Sequence, residues 1–127
     1  SAAKVMLKQG SGSIINMSSQ MGHIGSPNRT LYCTTKHAVE GLTKALGVEL
    51  APNGIRVNAV APTFIDTPMT RPMFENPEFK KTVVNNIALG HVGTIEDVAA
   101  AVLFLASPAA AMITGESLKV DGGWTAW

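Results

Sequence analysis

The sequence predicts an α/β fold built on a parallel sheet. Two observations carry that expectation. Helical and strand segments alternate along the 127 residues, and such alternation makes parallel sheets joined by right-handed crossovers. The strand segments are also short apolar runs, without the alternation of a half-exposed strand, as expected when both faces of a sheet are covered.

The elements follow in order. Ser1–Lys8 contains good helix formers and reads as the last turns of a helix, stopped by Gly10-Ser11-Gly12. Ser13–Met17 is the first strand, and Ser18–Pro27 a polar loop. The second helix covers about Thr30–Leu50. Ala38, Val39, Leu42, Ala45, Leu46 and Leu50 recur there at spacings of three and four, which makes one apolar stripe. Pro52-Asn53-Gly54 ends it, and Ile55–Ala61 is the second strand. Pro62–Pro72 is irregular. Asn76 caps a helix with Pro77 in its first turn, running to about Ala88. Thr94 and Asp97 form a capping box for a last helix to about Ala106, with Val98, Ala101, Val102 and Leu105 inward. Ser117–Val120 is the third strand, followed by an Asp121-Gly122-Gly123 turn.

Three strands are few for an open sheet, which more often has about four to six. A dinucleotide-binding fold has two βαβαβ halves, and this chain supplies about one of them. The glycine fingerprint of such folds is missing: Gly10-x-Gly12 has Ile15 in the third position and precedes a strand.

Composition narrows the function. Ten Lys plus Arg against nine Asp plus Glu give a net charge of +1, with no basic cluster, which argues against a nucleic-acid binder. Apolar runs stop well short of ~20 residues, so no membrane span is expected. One cysteine, Cys33, cannot make an internal disulfide, and no charged-then-apolar leader opens the chain, so a cytoplasmic location is expected. Charged residues make up 15% of the chain, against ~25% in typical domains. A small domain has proportionally more surface, so this shortage predicts an oligomer interface or a missing part of a larger fold. The chain also opens on Ser1 and not on methionine, as expected of a chain processed, tagged or cut from something longer.

Chemistry concentrates in Ser18–Lys36. Tyr32 and Lys36 are four apart on the second helix and share a face. Ser18 and Ser19 lie just past the carboxyl end of the first strand, where open α/β sheets bind ligands. A free phenol has a pKa of about 10, too high for a base at neutral pH. A neighbouring ammonium favours the phenolate and opposes that limit. A serine hydroxyl beside the pair can polarise a reacting oxygen. Alone, Tyr-x-x-x-Lys is a weak signal, since such pairs usually pack and solvate.

The motifs GSIINMSSQMG, YCTTK, GIRVNAVAPTFIDTPM and TGESLKVDGG follow one another from about Gly12 to Gly123. In that order they resemble the C-terminal half of a short-chain dehydrogenase/reductase. The resemblance implies a Rossmann-type sheet with helices on both faces, of which about three strands are present. It implies reversible hydride transfer between NAD or NADP and a small-molecule secondary alcohol or ketone. Ser19 matches the serine that holds the substrate oxygen, Tyr32 the acid/base, and Lys36 the lysine that favours the phenolate and bonds the nicotinamide ribose. Pro62 and Thr67 match the Pro-Gly-x-x-x-Thr segment beside the nicotinamide. Ile65 falls where the family holds the carboxamide through backbone groups. Thr63 replaces the glycine of that segment. The stretch from about Thr67 to Leu89 resembles the mobile lid. The Gly-rich loop, the residue that selects NAD or NADP, and the upstream asparagine of the family are expected ahead of Ser1. The long helix and the Trp-ended tail resemble subunit interfaces, so a homo-oligomer, dimer or tetramer, is expected.

Gln20, Met21 and Thr63 are the candidate substrate contacts, and His23 a weaker one. Polar Gln20 and His23 favour a polyol or sugar. Met69 and Met73 read as an apolar wall, Cys33 as a packed residue, and Trp124 and Trp127 as a subunit contact. The histidines show no metal-ligand spacing. The other reading open to these residues is a truncated, non-catalytic fragment that persists as an associating module.

Overall fold

The computed structural model describes residues 2–127. Ser1, placed by the sequence in the first helix, lies outside the described residues. The elements are α1 (Ala2–Gln9), β1 (Gly12–Met17), α2 (Thr30–Leu50), β2 (Ile55–Pro62), α3 (Pro77–Asn86), α4 (Ile95–Ala106) and β3 (Ser117–Val120), with short 3-10 turns between them.

The strands form one parallel sheet in the order β1-β2-β3. Both faces are covered, which is why the strands read as unbroken apolar runs. On one face, α1 and α2 pack Ala3, Met6, Leu46 and Leu50 against Ile14, Ile55 and Val57. On the other, α4 packs Val98, Ala101, Val102 and Leu105 against Ile15, Val60 and Leu118. Alternate residues of β1 and β2 thus serve opposite cores. The buried polar Asn58 ties β2 to the segment before β3, donating to the Ile113 carbonyl at 2.9 Å and accepting from Glu116 N at 3.0 Å. No helix of the described residues is long and apolar enough to cross a membrane.

The caps behave as their chemistry requires. Asn76 accepts from the amides of Glu78 and Phe79, and Thr94 and Asp97 form a reciprocal box. Backbone and side-chain hydrogen bonds from Thr94 hold the Asp97 carboxyl below its ordinary range. Helix α3 stops at Asn86, short of Ala88, because the chain extends at Ile87 to bury that side chain and to let Leu89 N donate to the Gly122 carbonyl.

The apolar stripe expected along α2 is only partly inward. Ala38, Leu42 and Ala45 are exposed, while Cys33, Glu40, Thr43, Gly47 and Leu50 are buried. The inward face is small and polar because it makes close, specific contacts. Thr43 Oγ1 accepts from Asn16 Nδ2 at 3.0 Å. At Gly47 a Cβ would lie 2.7 Å from Gly115 N, so only glycine lets the helix seat there.

Candidate active site

The site opens where β1 and β2 end. β1 delivers Ser18 and Ser19, and β2 delivers Pro62 and then Thr63 to Ile65. Parallel strands end together at one edge of the sheet, so their following loops face each other across a cleft. A cavity of about 350 Å³ fills that cleft, lined on one side by Ser19, Gln20, Met21, Arg29 and Tyr32. Thr63, Phe64, Ile65 and Thr67 line the other side, and Met69, Thr70 and Met73 come from the segment before α3. The volume lies within the usual ~300–1,000 Å³ of a small-molecule site.

Ser19 sits in extended backbone and caps the turn Gln20–Gly22, its Oγ accepting from Met21 N at 3.2 Å. That bond uses a lone pair of the hydroxyl and leaves its proton for another acceptor. Tyr32 stands in the first turn of α2, half-exposed toward the cavity. Lys36 follows one turn later. Its Nζ lies 5.6 Å from the centroid of the Tyr32 ring and donates to the Met17 carbonyl at 3.0 Å. An ammonium has three donors, so this anchor leaves two for other partners.

The structure therefore brings together Ser19, Gln20, Met21, Tyr32, Thr63, Ile65 and Thr67 around one cavity. Lys36 and Pro62 do not line it. Lys36 stands behind Tyr32, and Pro62 closes β2, paired with Val120. Gln20 is 1% exposed, and among the described residues neither amide atom has a partner; the Thr63 hydroxyl is likewise buried and unpaired among them. Buried polar groups are nearly always bonded, so such orphans beside a cavity mark a place for a polar ligand. Met69 and Met73 form part of the wall, and Cys33 is buried.

Several residues depart from the sequence reading. His23 does not line the cavity. The Gln20–Gly22 turn rotates it toward α2, where Nε2 lies 3.2 Å from Glu40 Oε1 and 3.0 Å from Ser117 Oγ. Trp124 is partly buried, its ring 5.8 Å from that of Phe64, which leaves the subunit contact expected of it untouched. Arg29, Phe64 and Thr70 line the cavity and went unnoticed in the sequence. For Arg29 a signal existed, since it precedes Tyr32 by three residues and so belongs to the same turn of α2.

The residues present fit the nicotinamide half of a dinucleotide. The hydrogen bonds of the Ile65–Gly93 bridge run through Phe64 and Asp66, so the Ile65 amide is not spent on it. The Ile65 carbonyl accepts from Thr70 Oγ1 and keeps a second lone pair. The orphaned Thr63 hydroxyl adds a polar group at the end of β2.

Comparisons with known proteins agree with this arrangement. The family model described as Enoyl-(Acyl carrier protein) reductase matches residues 1–125. The chain is 47% identical, over 93% of its length, to the 3-oxoacyl-acyl-carrier-protein reductase FabG of Thermotoga maritima, of which it covers 47%. It superposes on the crystal structure of a gluconate 5-dehydrogenase from Burkholderia cenocepacia, in complex with NADP and tartrate, with a TM-score of 0.94 and 33% identity; the match covers 98% of this chain and 49% of that one. A 4-hydroxyisoleucine dehydrogenase complexed with NADH gives a TM-score of 0.94 and 35% identity, over 98% of this chain and 52% of that one. The chain spans about half the length of the relatives it matches. With Ser19, Tyr32 and Lys36 standing at the carboxyl edge of a Rossmann-type sheet, the chain belongs to the short-chain dehydrogenase/reductase family.

Proposed function

We propose that this chain is the catalytic half of an NAD- or NADP-dependent oxidoreductase that interconverts a secondary alcohol and a ketone. One observation carries the reading: Ser19 and Tyr32 line a single cavity, with the Lys36 ammonium 5.6 Å from the Tyr32 ring. Ile65, Thr63 and Thr67 hold the nicotinamide end, Pro62 shapes the backbone before them, and the ammonium of Lys36 reaches the ribose. The bound nicotinamide supplies or accepts the hydride.

The chain's own residues handle the oxygen. Ser19 Oγ donates a hydrogen bond to the substrate oxygen and holds it before Tyr32. In reduction the Tyr32 hydroxyl gives its proton to the carbonyl oxygen; in oxidation the phenolate takes the proton of the alcohol. Lys36 stabilises the phenolate between these steps by charge. Met21, Met69 and Met73 keep the reacting carbon against an apolar wall.

The preference for a polyol or sugar rests on the Gln20 amide, which has no partner among the described residues, since His23 faces away from the cavity. The gluconate 5-dehydrogenase resemblance supports it, and the acyl-carrier-protein reductase resemblance marks the competing acyl substrates. Cofactor oxidation by the longest natural chain carrying these residues, measured over polyhydroxy, acyl and apolar ketones, is the test. Polyhydroxy ketones should turn over fastest. Turnover of apolar ketones alone would refute the preference.

A second reading, a non-catalytic associating module, draws on the exposed apolar side chains of Leu31, Leu42 and Val48 on α2. Intact mass with a cofactor fluorescence titration separates the two. A 127-residue molecule that binds no cofactor would leave catalysis to a longer parent.

A further inference from the structure

We propose that Glu40, through His23 and Ser117, is a positioning residue that sets the Ser19 loop against Tyr32 and Lys36. The inference rests on the reading that these three act on the substrate.

Glu40 stands one helical turn after Lys36 and is 7% exposed, an unusual place for a carboxylate. Its Oε1 accepts from Ser117 Oγ at 3.0 Å and meets His23 Nε2 at 3.2 Å, while His23 Nε2 lies 3.0 Å from Ser117 Oγ. The three side chains close a ring that joins the loop after β1, the middle of α2 and the first residue of β3. A carboxylate oxygen can only accept, so the ring closes when His23 carries its proton on Nε2. With that nitrogen bare, two lone pairs would face each other.

The ring controls the site because of what lies beside it. His23 follows directly on Gln20–Gly22, the turn that Ser19 caps, and its own amide donates to the Gln20 carbonyl at 2.9 Å. At Gly22 a Cβ would lie 2.8 Å from Ser18 Oγ, 3.0 Å from Glu40 Cγ and 3.0 Å from the Lys36 carbonyl oxygen. The loop is therefore pressed onto the same turn of α2 that carries Lys36. Glu40 pulls on His23 at one end of the turn, and β1 holds Ser18 at the other. The gap between Ser19 and Tyr32 is fixed between these two anchors. Reacting groups displaced by about an ångström can lose a hundredfold in rate.

The test uses the longest natural chain carrying these residues, with its nicotinamide cofactor and a ketone it reduces. Glu40→Ala and His23→Ala should each lower kcat by about tenfold to a hundredfold, with the KM for the cofactor within twofold of the parent. Glu40→Gln keeps an acceptor at the same place and should recover kcat to within threefold. The double variant should be no slower than Glu40→Ala, because both changes open the same ring. A kcat within twofold of the parent for Glu40→Ala overturns the proposal, whatever happens to thermal stability. So does a joint change of kcat and cofactor KM that Glu40→Gln does not rescue, since that marks general loosening. Should Glu40→Ala fail to fold, His23→Ala decides by the same two criteria. A Tyr32→Phe control that remains active would overturn the catalytic reading and not the ring.

Discussion

At the scale of single residues, Ser19 and Tyr32, two of the three residues proposed to handle the substrate oxygen, line the cavity, and Lys36 stands beside the Tyr32 ring. Arg29 is the one charged side chain among the cavity's lining residues. A guanidinium there suits a carboxylate on the substrate, through paired N–H donors. Arg29→Ala should raise KM for a carboxylate-bearing ketone by about tenfold or more, equivalent to one charge-assisted hydrogen bond, and leave a neutral ketone within threefold. Equal effects on both would remove Arg29 from recognition. Asp121 makes a second residue-scale prediction. Burial opposes its ionisation, but the Thr125 side chain, the Thr125 and Gly123 amides and the charge of Lys119 outweigh this and hold its carboxyl below the ordinary range. A carboxyl depressed in the fold adds stability at pH values above its unfolded pKa of about 3.9, and that stability is lost as pH falls through the folded value. Asp121→Asn should therefore cost about 1–3 kcal/mol at pH 7, with the difference shrinking below pH ~3.9 in thermal unfolding. A constant difference across that range would contradict the hydrogen-bond account. Ser19, Tyr32 and Lys36 were legible because their spacing carries a motif. The place of Arg29 at the start of α2, three residues before Tyr32, did mark it, whereas Phe64 was not legible, since loop backbone alone decides which side chains reach a cavity. His23 was misread for the same reason: a single 3-10 turn redirected it.

At the scale of elements, boundaries followed local chemistry closely. The Asn76 and Thr94 caps, Pro77, and the turn at Gly54 lie where the sequence puts them. Helix α2 shows where periodicity stops informing. Its apolar spacing marks two faces at once, and the face that meets the sheet is the one with Glu40, Thr43 and Gly47. Hydrophobicity alone cannot choose between a helix face that packs on its own sheet and one left for another surface. Leu31, Ala38, Leu42 and Ala45 lie at spacings of seven, four and three on the exposed face, with Leu31 84% and Leu42 51% exposed. Such a three-and-four spacing is what a helix seam requires, and if this face joins two copies the apolar contact should not survive a buried charge. Leu42→Glu should shift the protein to a smaller species in size-exclusion chromatography with light scattering. An unchanged mass would exclude this face from assembly.

At the scale of the molecule, surface area joins the charge shortage to the fold. A complete monomer of this mass is expected to expose roughly 6,450 Å². This chain exposes 7713 Å² for its 13.3 kDa. Val5, Met17, Leu103 and Met112 are among the exposed apolar side chains, and β1 pairs only with β2 among the described residues. A sheet edge left open is a template for another strand, which accords with a chain spanning about half of its relatives. The sequence carried the parallel sheet, its covered faces and the trio, because burial and motif spacing leave direct marks in residue type. It carried little about the substrate, because that depends on how three loops meet. Whether Tyr32 moves the proton of a substrate oxygen is decided by the turnover of Tyr32→Phe in the longest natural chain that carries these residues. The phenol's loss should lower kcat by about a hundredfold or more, with cofactor affinity by fluorescence titration within twofold of the parent. Turnover within a few-fold of the parent would rule Tyr32 out as the proton carrier.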